Sequence, residues 1–145
     1  MKISIAMAAY KGERFLREQF DSVARQTLPP FELVITDDSP DSGTYDLVME
    51  FARRMSFPVR IYRNAQRLGF HANFCKAISL CKGDFVAFCD QDDVWMDNKL
   101  FDATSCGHGD AARHVRRVSS SRSRRVGAWA LLKDVHATVF RVSIE

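Results

Sequence analysis

Four short apolar runs, separated by three segments of helical period, constrain this chain more than any other feature of it. Ile3-Ser4-Ile5-Ala6-Met7-Ala8, Glu32-Leu33-Val34-Ile35-Thr36, Val59-Arg60-Ile61-Tyr62 and Asp84-Phe85-Val86-Ala87-Phe88-Cys89 are strand-length and rich in β-favouring and small residues. Between the first two, Phe15, Leu16, Phe20, Val23 and Ala24 recur at helical spacing within Glu13 to Gln26, with Arg14, Arg17, Glu18, Asp21 and Arg25 on the other side. Leu28-Pro29-Pro30 ends that helix, because proline disfavours helical geometry in the residue before it and has no N–H to donate. Leu47, Val48, Phe51, Ala52 and Met55 stripe a second helix that starts near Thr44 and stops at Phe57-Pro58. Phe70, Phe74, Ala77, Ile78 and Cys81 stripe a third, which runs up to Lys82-Gly83 with the glycine as its C-terminal stop.

Strands alternating with helices predict an α/β, Rossmann-like domain of βαβαβαβ order, with a mostly parallel sheet, right-handed crossovers and helices on both faces. Such sheets bind ligands at the carboxyl ends of their strands. Tyr10, Asp37, Asp38, the 64 to 69 loop with Arg67 and Gly69, and Asp90-Gln91-Asp92-Asp93 all fall at those ends. They are therefore expected on one rim although they are far apart in sequence.

Three carboxylates within four residues, Asp90, Asp92 and Asp93, repel one another in a folded site unless a cation or strong donors are present. A divalent metal is the economical answer. Hard oxygen ligands suit Mg²⁺ or Mn²⁺, which keep several waters and bridge one or two protein carboxylates to a substrate diphosphate. The competing role for an acidic tetrad is a solvated turn; its position directly after a Phe-Val-Ala-Phe-Cys strand favours the site.

Asp37-Asp38 also follows a strand. One of Asp38, Ser39, Asp41 and Ser42 is expected to cap the next helix, but two adjacent aspartates exceed what a cap requires. A carboxylate there could accept the N3–H of a uracil or thymine ring or hold a ribose hydroxyl. Tyr10 either stacks on a base or closes the first turn. Trp95 is expected to anchor the site loop to the body, and His71 to lie on the polar face of its helix. Of Arg60, Arg63 and Arg67, only Arg67 is expected to approach a ligand, since Arg60 and Arg63 differ in strand parity.

At 145 residues, 46% hydrophobic and 27% charged, the chain suits one compact domain. The net charge of +3 hides an asymmetry: residues 1–102 carry 13 Lys/Arg against 15 Asp/Glu, and residues 103–145 carry 8 against 3. Residues 1–102 are read as the folded ligand-binding region, and 103–145 as an irregular basic tail, disordered or read from another frame. Cys75, Cys81, Cys89 and Cys106 fit no C-x-x-C pattern and are expected as reduced thiols. The apolar runs fall far short of the ~20 residues of a membrane helix. No leader and no nucleic-acid partner are expected.

Ala8-Ala9-Tyr10-Lys11-Gly12-Glu13-Arg14-Phe15-Leu16, Ser22-Val23-Ala24-Arg25-Gln26-Thr27, Phe31-Glu32-Leu33-Val34-Ile35-Thr36-Asp37-Asp38-Ser39 and Phe88-Cys89-Asp90-Gln91-Asp92-Asp93-Val94-Trp95 together resemble family 2 glycosyltransferases. Four ordered blocks make this specific over roughly residues 2 to 100, and the stretch from Leu68 to Leu100 looks most like bacterial enzymes that add sugars, including rhamnose, to surface polysaccharides. The resemblance implies a GT-A fold, a UDP- or dTDP-linked sugar donor and a glycan or lipid-linked acceptor. It also implies a Mn²⁺ or Mg²⁺ cofactor, inversion, and a cytoplasmic place at the inner membrane face with peripheral membrane contact. It puts Tyr10 and Asp38 on the nucleobase, Asp37 in support, Arg67, Gly69 and Gln91 around the nucleotide sugar, Asp90 on the ribose or metal, and Asp92 on the metal. Lys11 stands where the family usually carries Asn. The general base comes, in that family, from a second half of the chain, and Asp110, Asp134 and Glu145 are single acids without the expected setting. The chain is therefore expected to be truncated and inactive alone, with a non-catalytic nucleotide-binding module or remnant as the alternative. A sugar-nucleotide pyrophosphorylase would need a Gly-rich phosphate loop that Ala9-Tyr10-Lys11-Gly12 does not supply. A haloacid-dehalogenase phosphatase would need its D-x-D after the first strand.

Overall fold

The computed structural model describes residues 1–105, together with the backbone of two strands at 115–119 and 139–143. The elements are β1 (Ile3–Ala9), α1 (Leu16–Ala24), β2 (Glu32–Asp37), α2 (Gly43–Ala52), β3 (Val59–Arg63), α3 (Phe70–Ser79), β4 (Phe85–Asp90), α4 (Lys99–Ser105), β5 (Val115–Ser119) and β6 (Val139–Ser143). The sheet runs β3-β2-β1-β4-β6-β5. Its first four strands are all parallel, with Ala6 opposite both Val34 and Phe88. This is the alternating α/β architecture of the GT-A fold.

Residue parity along the strands divides the core in two, because successive side chains point to opposite faces. Ile3, Ile5, Met7, Leu33, Ile35 and Cys89 face α1, α2 and α4, where Phe20 stacks on Phe51 at 4.5 Å and Leu100 is fully buried. Ala6, Val34 and Val86 pack against Ala77 of α3 and Cys81 just beyond its end. The sheet is thus buried on both sides, which is why its strands read as continuous apolar runs.

The helices are shorter than their stripes. Residues 13–15 form a turn, in which Gly12 O accepts from both Phe15 N (2.9 Å) and Leu16 N (3.0 Å), and Glu13 turns away to accept from Thr44 Oγ1. The third helix ends at Ser79, short of Gly83. That glycine is no helix stop: a Cβ there would lie 2.7 Å from Lys2 O and from Ser4 Oγ, so it is required by close backbone approach at the start of β4. In the basic tail, the Val-rich segments 115–119 and 139–143 are strands, β6 running antiparallel to β4 and parallel to β5. Residues 103–105 of the tail expected to be irregular are helical, as the end of α4, and its remaining residues lie outside the described residues.

Candidate functional site

The strand order 3-2-1-4 places a topological switch between β1 and β4, since the chain leaves β1 toward β2 and returns to the other side of β1 only at β4. A crevice opens at the carboxyl ends of the two strands at such a point. A cleft of about 290 Å³ lies there, lined by Ala8, Ala9 and Tyr10 after β1, Asp38 after β2, Arg67, Phe70 and Asn73 around the start of α3, and Asp90, Gln91 and Asp92 after β4. Tyr10, Asp38 and Asp92 thus wall one cleft although they follow three different strands. Arg67 is its one basic wall among the described residues.

Two other expected residues lie outside its lining. Gly69 stands behind it as the N-cap of α3, with φ 83° and ψ 159°, a combination open in practice only to glycine. Asp37 is fully buried on the opposite sheet face from Asp38; its Oδ1 accepts from Ser39 N at 2.9 Å, and its Oδ2 has no partner among the described residues. Burial raises its pKa, against the hydrogen bond from Ser39 and the charge of Arg63.

Gln91 ties the rim together. Its Oε1 accepts from Tyr10 N (2.8 Å) and its Nε2 donates to Tyr10 O (3.1 Å), a two-point clamp between the ends of β4 and β1. Gly12 leaves room for that amide, since a Cβ there would sit 2.9 Å from Gln91 Oε1. Lys11 takes a left-handed φ of 49°, with its N–H on Ser39 Oγ. Asn73, buried within α3, donates to Ala9 O and Thr36 O and so holds the ends of β1 and β2.

Among the four candidates for capping α2, Asp41 accepts from Gly43 N at 3.2 Å, the first helical N–H. Asp38 serves a different helix: Leu68 N and Gly69 N, just ahead of α3, donate to it at 3.0 and 2.8 Å. Sequence reasoning missed Asn73, Asn64, Gln19 and Gln26. Gln26 accepts from Leu100 N and donates to Met96 O, fastening the segment after the acidic motif to the end of α1, and Gln19 donates to Cys89 Sγ, tying α1 to β4. Only an amide at a buried helical position signals such roles, and it does not say which loop is bound.

Asp90 and Asp92 share the cleft, whereas Asp93 does not line it; its N–H closes a turn on Asp90 O at 3.3 Å. The two carboxylates expected on a metal, Asp90 and Asp92, are the two that line the cleft, and no group of three His, Cys, Asp or Glu converges among the described residues. A pair fits a Mg²⁺ or Mn²⁺ whose remaining ligands are water and diphosphate oxygens. Beneath them Trp95 is buried in the core, and Lys99 Nζ lies 3.9 Å from its ring centroid. Burial lowers the Lys99 pKa, opposed by the nearby Cys89, Asp93 and Asp90.

His71 is exposed, Arg63 lies at the surface, and Arg60 sits at the opposite edge of the sheet on Glu32. Cys75, Cys81 and Cys89 are free thiols, burial pushing Cys81 up to about 12. Cys106 lies outside the described residues. No described helix is long and apolar enough to cross a membrane.

The sequence model of Glycosyl transferase family 2 matches residues 4–103. An E. coli protein, UDP-Glc:alpha-D-GlcNAc-diphosphoundecaprenol beta-1,3-glucosyltransferase WfgD, is 32% identical over 98 residues, covering 68% of this chain and 38% of its own. The uncharacterized protein Rv1520 of Mycobacterium tuberculosis is 34% identical over 96 residues, 66% of this chain and 28% of its own. S. aureus TarS in complex with UDP-GlcNAc superposes with a TM-score of 0.66 at 26% identity, covering 87% of this chain and 37% of that one. The chain thus spans little more than a third of the length of these relatives, or less.

Proposed function

We propose that this chain, which belongs to glycosyl transferase family 2, binds the nucleoside diphosphate of a sugar donor in the cleft between β1 and β4 for transfer to an acceptor hydroxyl in glycan synthesis. The observation that carries this is the meeting of Asp90 and Asp92 with Tyr10 at the switch point of the sheet. UDP is the donor nucleotide we favour, because the E. coli relative is named for UDP-Glc and the S. aureus neighbour was solved with UDP-GlcNAc. The acceptor is a glycan or lipid-linked sugar, and a lipid-linked one brings the enzyme to a membrane surface.

In this reading Tyr10 offers its ring to the base, and Arg67 supplies the positive charge that meets the anionic donor. Asp90 and Asp92 would hold a Mn²⁺ or Mg²⁺. The ion supplies charge neutralisation of the departing diphosphate, the electrostatic part of catalysis. Gln91 keeps the two strand ends in register, so the carboxylates and Tyr10 face one ligand. One in-line displacement at the anomeric carbon by the acceptor hydroxyl inverts the configuration.

Titration of the purified chain with UDP in Mn²⁺ and again in EDTA tests the reading. Tighter binding with the metal is expected, and equal affinity in both would remove the metal from the proposal. A chain that binds no nucleoside diphosphate under either condition would refute the site itself.

A further inference from the structure

A second cation stands at the acidic motif without lining the cleft. Lys99 opens α4, and its Nζ lies 3.9 Å from the ring centroid of Trp95, which is 3% exposed. Main-chain bonds fix the stretch between motif and helix: Thr27 N donates to Asp97 O at 2.8 Å, Lys99 N to Met96 O at 3.1 Å, and Leu100 N to Gln26 Oε1 at 3.0 Å. Trp95, Leu100 and Cys89 belong to the core on the α1 and α2 side of the sheet, whereas Asp90, the next residue along β4, turns into the cleft. The ammonium is thus held behind the strand end, where a ligand in the cleft does not displace it.

This is a costly place for a lone lysine. Burial disfavours its charged form, and the first turn of a helix carries the positive end of the dipole. The face of the indole offsets part of that cost, and two nearby carboxylates, Asp93 and Asp90, favour the charge as well. The remaining neighbour, Cys89, is kept a neutral thiol by burial and supplies no charge. We infer that Lys99 is a positioning residue for the acidic motif. It is a fixed counter-charge that steadies Asp90 and Asp93 in their turn and weakens the motif for a bare divalent cation, so that the motif takes the cation together with an anionic diphosphate. The inference rests on the cleft being the nucleoside-diphosphate site.

A charge at this place acts on cation and nucleotide with opposite sign, and a lysine that merely packs the loop does not. Lys99→Met keeps an apolar stem over Trp95 and removes the charge. Compared with wild type, it should bind Mn²⁺ alone roughly 3- to 10-fold more tightly, read from the free-ion signal in electron paramagnetic resonance, as expected for one partly screened charge. In EDTA it should bind UDP roughly 3- to 10-fold more weakly, and Lys99→Arg should restore both affinities. A Mn²⁺ affinity that falls or stays level in Lys99→Met would overturn the inference, because loosening the loop lowers both affinities together. Lys99→Gln removes the same charge and takes its place if Lys99→Met folds poorly.

A readout free of both ligands completes the test. Urea midpoints in EDTA are compared for wild type, Lys99→Met, Asp93→Asn and the double variant; Asp93 does not line the cleft, so this cycle leaves the cleft wall intact. Asp93→Asn should raise the midpoint of Lys99→Met more than that of wild type, since repulsion in the motif is relieved once the counter-charge is gone. Additive midpoints would overturn the inference. Failure of the wild-type chain to bind either Mn²⁺ or UDP would instead strike the site reading, leaving the midpoint cycle to decide the role of Lys99.

Discussion

The two edges of the parallel sheet both carry acids, and they differ in how those acids are satisfied. At the amino edge, Glu32 is closed in: it accepts from Ser4 Oγ, Lys82 N and the Arg60 guanidinium, and Arg60 continues to Leu80 O and Tyr62 Oη. At the carboxyl edge, Asp90 and Asp92 border open space, and the fully buried Asp37 keeps one oxygen with no partner among the described residues. A closed network fixes the fold, whereas acids gathered around a cleft cost stability unless a cation joins them. On the proposed reading, acidic side chains thus serve packing at one edge and chemistry at the other.

The sharpest way to break that contrast is to open the closed edge. Arg60→Met should destabilise the chain by about 3 kcal/mol in urea unfolding, since it strands a buried carboxylate; we expect the low end of such losses because the Arg60 side chain keeps 24% exposure. The folded fraction should bind UDP as before. A stability loss near zero would mean that Ser4 and Lys82 suffice and that this edge is less closed than its hydrogen bonds imply.

Next in size is the complementary change at the rim. Asp92→Asn should lower metal-dependent UDP affinity by roughly 10- to 100-fold, the range found for groups that shape metal sites. Its stability should move by no more than about 0.5 kcal/mol, as Asp92 is exposed. Loss of binding and stability together would make Asp92 a structural acid like Glu32.

How far the sequence carried this contrast depends on the range of each interaction. Strand-end placement is local, so Asp38, Asp90 and Asp92 could be assigned to one rim from alternation alone. The service Asp38 performs is not local: the N–H groups it accepts belong to residues 30 and 31 positions on, which no capping rule reaches. Gln91 shows the same limit, for its residue type suggests a ligand contact while its amide holds the Tyr10 main chain. Gly83 was legible as a glycine with a purpose, but the purpose, close approach to Lys2 and Ser4, needs the sheet to exist first.

Asp37 offers a pH test of the rim. Burial raises its folded pKa above the ordinary 3.8, so the native state binds this proton more tightly than the unfolded chain. The contribution of this group is then complete below the unfolded value and is lost as pH rises through the folded one. Asp37→Asn keeps an oxygen for Ser39 N and removes the buried charge, so it should stabilise the chain near neutral pH. That advantage should vanish in acid below the unfolded value. An advantage independent of pH would show that charge is not what Asp37 contributes.

The smallest expected effect concerns strain at the same rim. Lys11 holds φ at 49°, a left-handed conformation that asparagine tolerates better than lysine because its short polar side chain can bond locally. Lys11→Asn should therefore relieve a few tenths to about 1 kcal/mol. Against this, Lys11 Nζ lies 5.5 Å from the Tyr10 ring centroid, an exposed contact worth about 0.5 kcal/mol at most. Lys11→Met separates the terms, since it keeps the strained backbone and removes only the cation. Denaturant midpoints should order Asn above Lys and Lys at or slightly above Met. If Asn and Met fall together below Lys, the cation outweighs the strain, and Lys11 belongs with the charges that serve the cleft rather than with the turn that ends β1.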